Sequence, residues 1–373
     1  MMGELALRYP AQSLVVSTGS YEGSAESDAR FPQPIDRIGI RATRLRTIQG
    51  LARWTWRATA LAIKRDPGFI WCGELKPAGY PARWVHALHG APYGIFVYGT
   101  ELLLIDAKVR RSRFKRGTAR GILGNAAVLV AISRWTADRA LEVLRLLELD
   151  IPIETVPLGT TPSQFRPGVD PTAVRAKYGL HDGPWLLTVA RLEWHKGIDT
   201  VMKALPAIRA AHPGARYAIA GVGDRLTQLQ QLHRELGLGD AVRFLAAVPD
   251  EDLPALYNAA DLYVGASRRH DLLVEGFGIS LVEASACGLA VVGGRSGGVP
   301  DAVREGETGI LVDPDDPAAV AAGVSELLSD PERRKKLGAA GRRAVETYYN
   351  WDRVARDLIR IEASYSLAGP AER

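Results

Sequence analysis

Cysteine is scarce in this chain of 373 residues, with Cys72 and Cys287 the only two. Two thiols make neither a disulfide framework nor a Cys-x-x-Cys pattern, and they suit a reducing compartment. Long hydrophobic runs are missing as well; none approaches the ~20 apolar residues of a membrane span. No charged-then-apolar leader opens the sequence, so a cytoplasmic setting is expected rather than export. There is no long repeat or low-complexity stretch. A full Gly-x-Gly-x-x-Gly after a first strand is absent, which argues against a dinucleotide-dependent oxidoreductase. No Ser-His-Asp or Cys-His set can be assembled, and the seven histidines are scattered.

What is present is a globular composition, 47% hydrophobic and 24% charged, at a length that suits two domains. Charge is uneven along it. Residues 1–165 hold 22 Lys and Arg against 14 Asp and Glu, whereas residues 166–373 hold 25 against 28. A basic first half points to an anionic partner there, unless it is only a solvated helix face.

Short apolar runs alternate with longer helical patterns. The runs of the first half are 13–17, 69–73, 93–99, 127–133 and 153–159; those of the second are 185–190, 217–221, 242–247, 262–267, 289–294 and 309–312. Amphipathic stretches such as 199–211, 225–236 and 252–259 lie between them. Continuous apolar strands alternating with helices imply buried parallel sheets covered on both faces, a doubly wound α/β architecture. The aperiodic Pro- and Gly-bearing stretch 162–169 marks a boundary. The expected domains are therefore 1–165 and 166–350, with a terminal helix in 351–373 packing back on the first. Ligands of such sheets sit beyond the carboxyl ends of the strands.

Two constellations occupy such positions. Arg191 and Lys196 lie on the loop after the strand 185–190, where a planar fork and a point charge can share one diphosphate. The second is Glu275-Gly276-Phe277-Gly278-Ile279-Ser280-Leu281-Val282-Glu283. Its glycines precede a helix N-terminus, whose free N–H groups attract phosphate. Glu283, one turn into that helix, can accept from vicinal hydroxyls such as those of a ribose, and Glu275 lies where it faces a transferred sugar. Taken singly, each is equally read as an ordinary helix acid or a solvated loop residue. Asp313-Pro314-Asp315-Asp316 contains an Asp-x-Asp but reads as a turn leading into an N-cap, so no metal site is expected.

The pair Glu275 and Glu283, the Phe277-Gly278 between them and the upstream Arg191…Lys196-Gly197 together resemble the retaining glycosyltransferase family 4. Gly221-Val222-Gly223-Asp224, Pro249-Asp250-Glu251-Asp252-Leu253, Ser296-Gly297-Gly298-Val299-Pro300 and Glu307-Thr308-Gly309 add to it, so the resemblance spans about residues 60–360. It implies the GT-B fold, two Rossmann-like domains facing across a cleft. It also implies that Arg191 and Lys196 hold the donor diphosphate, Glu275 the donor sugar and Glu283 the ribose. Gly223, Val248, Leu253, Phe277, Gly278 and Ile279 complete the donor side by the same resemblance. Tyr98, Thr100, Glu101 and Arg134 stand on the acceptor side.

The segments 274–279 and 294–300 are similar to the phosphatidylinositol mannosyltransferase branch, which implies GDP-mannose as donor and a lipid or saccharide acceptor. Retention then needs no protein nucleophile, because the departing diphosphate can take the acceptor's proton. No cofactor is expected beyond the nucleotide-sugar substrate.

The sequence departs from the family in two places. It opens on Met1-Met2-Gly3-Glu4, which reads as a helix already under way, so the first strand of the N-terminal domain and its glycine-rich loop are expected to be missing. Many members also carry a His where this chain has Val97-Tyr98-Gly99-Thr100-Glu101; Tyr98 or Thr100 can replace its hydrogen bonding but not its acid–base range. The rival reading is a catalytically silent nucleotide-sugar-binding partner subunit. A nucleic-acid module would leave Glu275…Glu283 unexplained, so no nucleic acid is expected. Seven cations between Lys108 and Arg120, with Trp54 and Trp56 beside Arg53 and Arg57, suggest contact with an anionic lipid surface at the inner face of the membrane.

Overall fold

The computed structural model describes residues 2–29, 31–181 and 183–366. The chain forms two compact units, which part at Val156 and Pro157; the chain re-enters the first unit at Trp351.

The first unit runs through α1 (Met2–Ala6), β1 (Val16–Ser20), α2 (Ser24–Asp28), β2 (Ile35–Arg41), α3 (Ile48–Arg65) and β3 (Ile70–Cys72). It continues through α4 (Gly79–His89), β4 (Tyr93–Val97), α5 (Thr100–Val109), α6 (Arg113–Leu123), β5 (Val128–Ala131), α7 (Arg134–Leu147) and β6 (Ile153–Thr155). Strands β3-β4-β5-β6 make one parallel sheet in sequence order, and β1-β2 make a separate parallel pair. Every residue of β4 and β5 is buried, as expected of strands covered by helices on both faces.

The second unit holds α8 (Thr172–Tyr178), β7 (Trp185–Val189), α9 (Ile198–Ala211), β8 (Arg216–Ala220), α10 (Leu226–Glu235), β9 (Val242–Ala246) and α11 (Leu253–Ala259). After these come β10 (Leu262–Gly265), α12 (Ile279–Ala286), β11 (Val291–Gly294), α13 (Val299–Ala302), β12 (Gly309–Val312), α14 (Pro317–Ser329) and α15 (Pro331–Thr347). Its sheet is parallel in the order β12-β11-β10-β7-β8-β9. The first strand of the unit, β7, thus sits between β8 and β10, and the order reverses there. Helix α16 (Trp351–Tyr365) closes the chain within the first unit. There Asp352 takes the Arg8 guanidinium at 2.8 Å, and Glu362 accepts from Tyr9 and Trp71.

Three expectations need correction. Strand β2 is not among the apolar runs of the sequence, because the adjacent charges Asp36 and Arg37 interrupt Ile35–Arg41, which is only half-buried. Strand β1 begins three residues later than the run 13–17, in the register that pairs Val16 with Ile35. The boundary lies at 156/157 rather than 165/166, because the aperiodic stretch is strapped to the second unit. Arg342 donates to the carbonyls of Pro162 and Phe165, Asn258 bonds Arg166 and Gly168, and Phe165 meets the Tyr257 ring edge-on.

Candidate active site

The reversal between β7 and β10 creates a gap at their carboxyl ends, the place where parallel sheets accept ligands. Two loops line it. The first, after β7, is fastened to the loop after β8: Leu192 N donates to Val222 O at 2.9 Å and Arg225 N to Leu192 O at 3.1 Å. A side chain on Gly223 would strike the Leu192 backbone at about 2.5 Å, so only glycine allows this approach. The loop then makes a 3-10 turn over Trp194–Lys196 and enters α9 through Gly197 at φ 66°. The Arg268 N–H donates to His195 O at 2.8 Å, and its guanidinium grips Asp199 through two 2.9 Å contacts. Sequence reasoning missed Arg268; a buried Asp at the start of a helix was the available signal.

Lys196 and Glu275 meet here, Nζ to Oε2 at 2.6 Å, both mostly screened from solvent. Ser267 Oγ donates to the same oxygen at 3.2 Å. Burial opposes ionisation of Glu275, but the Lys196 charge and hydrogen bond outweigh it and hold the carboxyl below its usual range. His195 is buried, with Nδ1 3.1 Å from Glu193 Oε2. Burial, then the neighbouring Lys196 charge, keep this imidazole on the neutral side of its ordinary value. Arg191 is exposed and pairs with Glu193 at 2.6 Å, an acid the sequence reading overlooked. Each cation is therefore held by its own carboxylate.

The second loop ends in Gly278 at φ 102°, and α12 starts at Ile279, as the sequence pattern indicated. Phe277 is almost fully buried with its ring 6.1 Å from that of Tyr349, so it can present only its backbone to a ligand. The Ile279 side chain is exposed at the helix start. Glu283 accepts a 2.8 Å hydrogen bond from the Tyr257 hydroxyl. Burial pushes its carboxyl up to about 7; the Tyr257 bond counters this, and Asp250 adds to it. Val248 and Leu253 are half-buried and flank Asp250, which brings their loop beside Glu283. Burial raises the Tyr263 phenol, and both Glu283 and Glu275 are near enough to push it further.

The residues expected on the acceptor side lie in the first unit, where Tyr98 and Glu101 bond local backbone groups. The Tyr98 hydroxyl is spent on Gly73 O at 2.7 Å, and burial raises its pKa. Glu101, half-buried at the start of α5, accepts from the Tyr98 amide, and Thr100 is the first helical residue. Arg134 opens α7 next to Ser133, whose hydroxyl caps the helix through Thr136 N at 3.1 Å. Of the basic stretch, Arg110 pairs with Asp106, and Arg116 and Arg120 with Glu148. Trp54 is core, while Trp56 is exposed. Asp313 and Asp316 accept from the amides of Asp315 and Ala318, a turn and an N-cap.

With this geometry fixed, comparison with known proteins is direct. Residues 171–344 match the family model described as Glycosyl transferases group 1. The GDP-mannose-dependent alpha-(1-6)-phosphatidylinositol monomannoside mannosyltransferase of Mycolicibacterium smegmatis is 38% identical over 356 residues, covering 94% of this chain and 89% of that protein. The chain belongs to the group 1 glycosyltransferases, glycosyltransferase family 4. It is a glycosyltransferase with the GT-B fold. Another relative, the D-inositol 3-phosphate glycosyltransferase of Acidothermus cellulolyticus, is 35% identical over 68% of this chain and 59% of its own length. The crystal structure of Anabaena HepE in complex with UDP and glucose matches this glycosyltransferase at a TM-score of 0.78 over 97% of the chain and 95% of HepE, with 18% identity. A glycosyltransferase of Rickettsia africae matches at 0.80 over 99% and 95%, with 16% identity.

Proposed function

We propose that this glycosyltransferase moves mannose from GDP-mannose, with retention, to a phosphatidylinositol-type lipid at a membrane surface on the cytoplasmic side. The observation that carries the reading is the Lys196–Glu275 pair at the sheet's reversal point, with Glu283 one helix turn beyond Gly278. The names of the mannosyltransferase relatives supply the donor and acceptor class. Among the described residues no helix is long and apolar enough to cross a membrane.

Lys196 and Arg191 bind the diphosphate, and the α12 N-terminus adds its amide field. As the bond from the anomeric carbon to the diphosphate oxygen breaks, negative charge grows on that oxygen, and this fixed positive field stabilises it. The acceptor hydroxyl attacks from the same face, and its proton passes to the leaving phosphate. Glu275, kept ionised by Lys196, accepts from sugar hydroxyls and sets the face presented. Glu283 accepts from the ribose hydroxyls. No step requires a protein nucleophile.

A thermal-shift panel of nucleotide sugars tests the donor assignment, since a ligand of the native state raises the midpoint by mass action. GDP-mannose should give the largest rise. A larger rise with UDP-glucose, or none with any donor, would reject it.

A further inference from the structure

Glu283 is held by more than its own helix. Tyr257, on α11, is fully buried and directs its hydroxyl to Glu283 Oε2 at 2.8 Å. Among the described residues Oε1 takes no hydrogen bond, and the side chain is only half-buried, so the second oxygen can accept from a ligand. Burial, and then the Glu283 charge, drive the Tyr257 phenol well above its ordinary range, so it donates to this carboxylate and does not ionise.

The Tyr257 ring cannot turn away. Phe165 meets it edge-on with centroids 5.8 Å apart, and Tyr263 lies against it at 5.9 Å. One guanidinium nitrogen of Arg342 ties both sides of the contact. It donates to Phe165 O and to Ala286 O, each at 2.8 Å, and Ala286 is the last residue of α12. In the first turn of the same helix, the Tyr263 hydroxyl bonds Ser280 Oγ at 2.7 Å. The helix that bears Glu283 is therefore pinned near both ends, and Tyr257 fixes the carboxylate between them.

We propose that Tyr257 is the positioning residue for ribose recognition: it occupies Glu283 Oε2 and so leaves Oε1 as the oxygen that accepts from the ribose hydroxyls. The proposal rests on the ribose role given to Glu283 above. The terminal torsion of a glutamate is soft, so an unanchored carboxylate spreads its acceptors over many orientations. One anchored by a buried donor offers a single acceptor in a fixed place, and binding then costs less ordering. The same bond favours the ionised form. Asp250 on the loop after β9, Tyr263 on β10 and Cys287 at the end of α12 also face Glu283. Asp250 pushes the carboxyl towards protonation, while burial keeps the Tyr263 phenol and the Cys287 thiol neutral. Once Glu283 takes up a proton, Tyr257 still donates to Oε2, so the proton sits on Oε1 and that oxygen turns from acceptor to donor.

The test compares binding of GDP and 2′,3′-dideoxy-GDP by calorimetry, from about pH 6 to about 9. The ratio of the two affinities cancels the titration of phosphate and base, which both ligands share. In the parent, GDP should bind at least about tenfold more tightly at the alkaline end, and the ratio should shrink as pH falls through about 7. Tyr257→Phe keeps the ring and its aromatic contacts. Its ratio near pH 8 should drop to roughly threefold or less, and its midpoint should move to higher pH. In E283Q the ratio is already small, and Y257F/E283Q should lower it no further. Thermal unfolding without ligand reports any packing loss separately. A Y257F ratio and midpoint equal to the parent's would overturn the proposal, whatever the unfolding midpoint does. A loss that repeats in full in the E283Q background would overturn it too, because either result reduces Tyr257 to packing. A parent that does not distinguish the two ligands would remove the ribose role of Glu283 itself, and the proposal with it.

Discussion

Lys196 and Glu275 lie 79 positions apart in sequence and 2.6 Å apart in space, and the Lys196 charge holds the Glu275 carboxyl below its usual range. Lys196→Ala should therefore do two things. It removes a charge-assisted contact with the diphosphate, costing about 1.5–3 kcal/mol, or roughly ten- to hundredfold in GDP affinity. It also frees Glu275 to take up a proton, so catalysis should fall further than affinity does. Calorimetry showing parent-like GDP affinity would dismiss the diphosphate role. Glu283 gives the pH test. Its carboxyl is raised to about 7, so near pH 6 it is mostly protonated and above 8 mostly ionised. The ionised form accepts from both ribose hydroxyls, so GDP affinity should rise with pH through about 7. The Glu283→Gln variant should show only the phosphate's own titration, and matching profiles would refute the ribose assignment. Stability moves the other way. The folded state keeps a proton that an unfolded Glu loses near 4.5, so this group's contribution falls as pH climbs from 4.5 towards 7. The places of Arg191, Lys196, Glu275 and Glu283 were readable because the residues lie on short segments around strand ends. Tyr257 and Arg268 were not, because their significance comes from contacts between segments far apart in the chain.

Helix and strand ends position these groups. The loop after β7 reaches α9 only because Gly197 takes φ 66°; an added Cβ would sit about 1.8 Å from Ala266 O. Gly197→Ala should cost stability by about 1–3 kcal/mol from the left-handed backbone alone, and more from the clash. Because Lys196 is the preceding residue, GDP binding should weaken with it. Thermal unfolding and calorimetry on the same sample check both, and an unchanged midpoint would show that the loop does not need this glycine. Most elements of the second unit were legible: β7, β8, β10 and β11 are almost continuously buried runs, and its Asp316-Pro317 cap was visible in sequence. Strand β2 was hidden by the opposite property. Asp36 and Arg37 stand side by side between Ile35 and Ile38, and those charges are spent on Arg57 and Asp28.

At the scale of the whole molecule, the two units divide the chemistry. The second holds the Lys196, Glu275 and Glu283 constellation, and the first holds the basic and apolar surface of α3 and α4. The first unit also carries the basic excess of the sequence, part of which its own carboxylates pair. Counting cations along a chain cannot see that Glu148 and Asp106 neutralise several of them. The same blindness put the boundary in the segment 162–169, whose irregular backbone is held by Arg342 and Asn258. The central claim is that this glycosyltransferase turns over GDP-mannose at the Lys196–Glu275 site. The most direct measurement is transfer of labelled mannose from GDP-mannose to a phosphatidylinositol monomannoside acceptor, with the anomeric configuration of the product read by NMR. The account predicts an α-linked mannolipid made by the parent chain, and loss of that product in Glu275→Gln while GDP binding persists. A parent chain that binds GDP-mannose but transfers no label to the lipid would contradict it and make the chain a silent nucleotide-sugar binder.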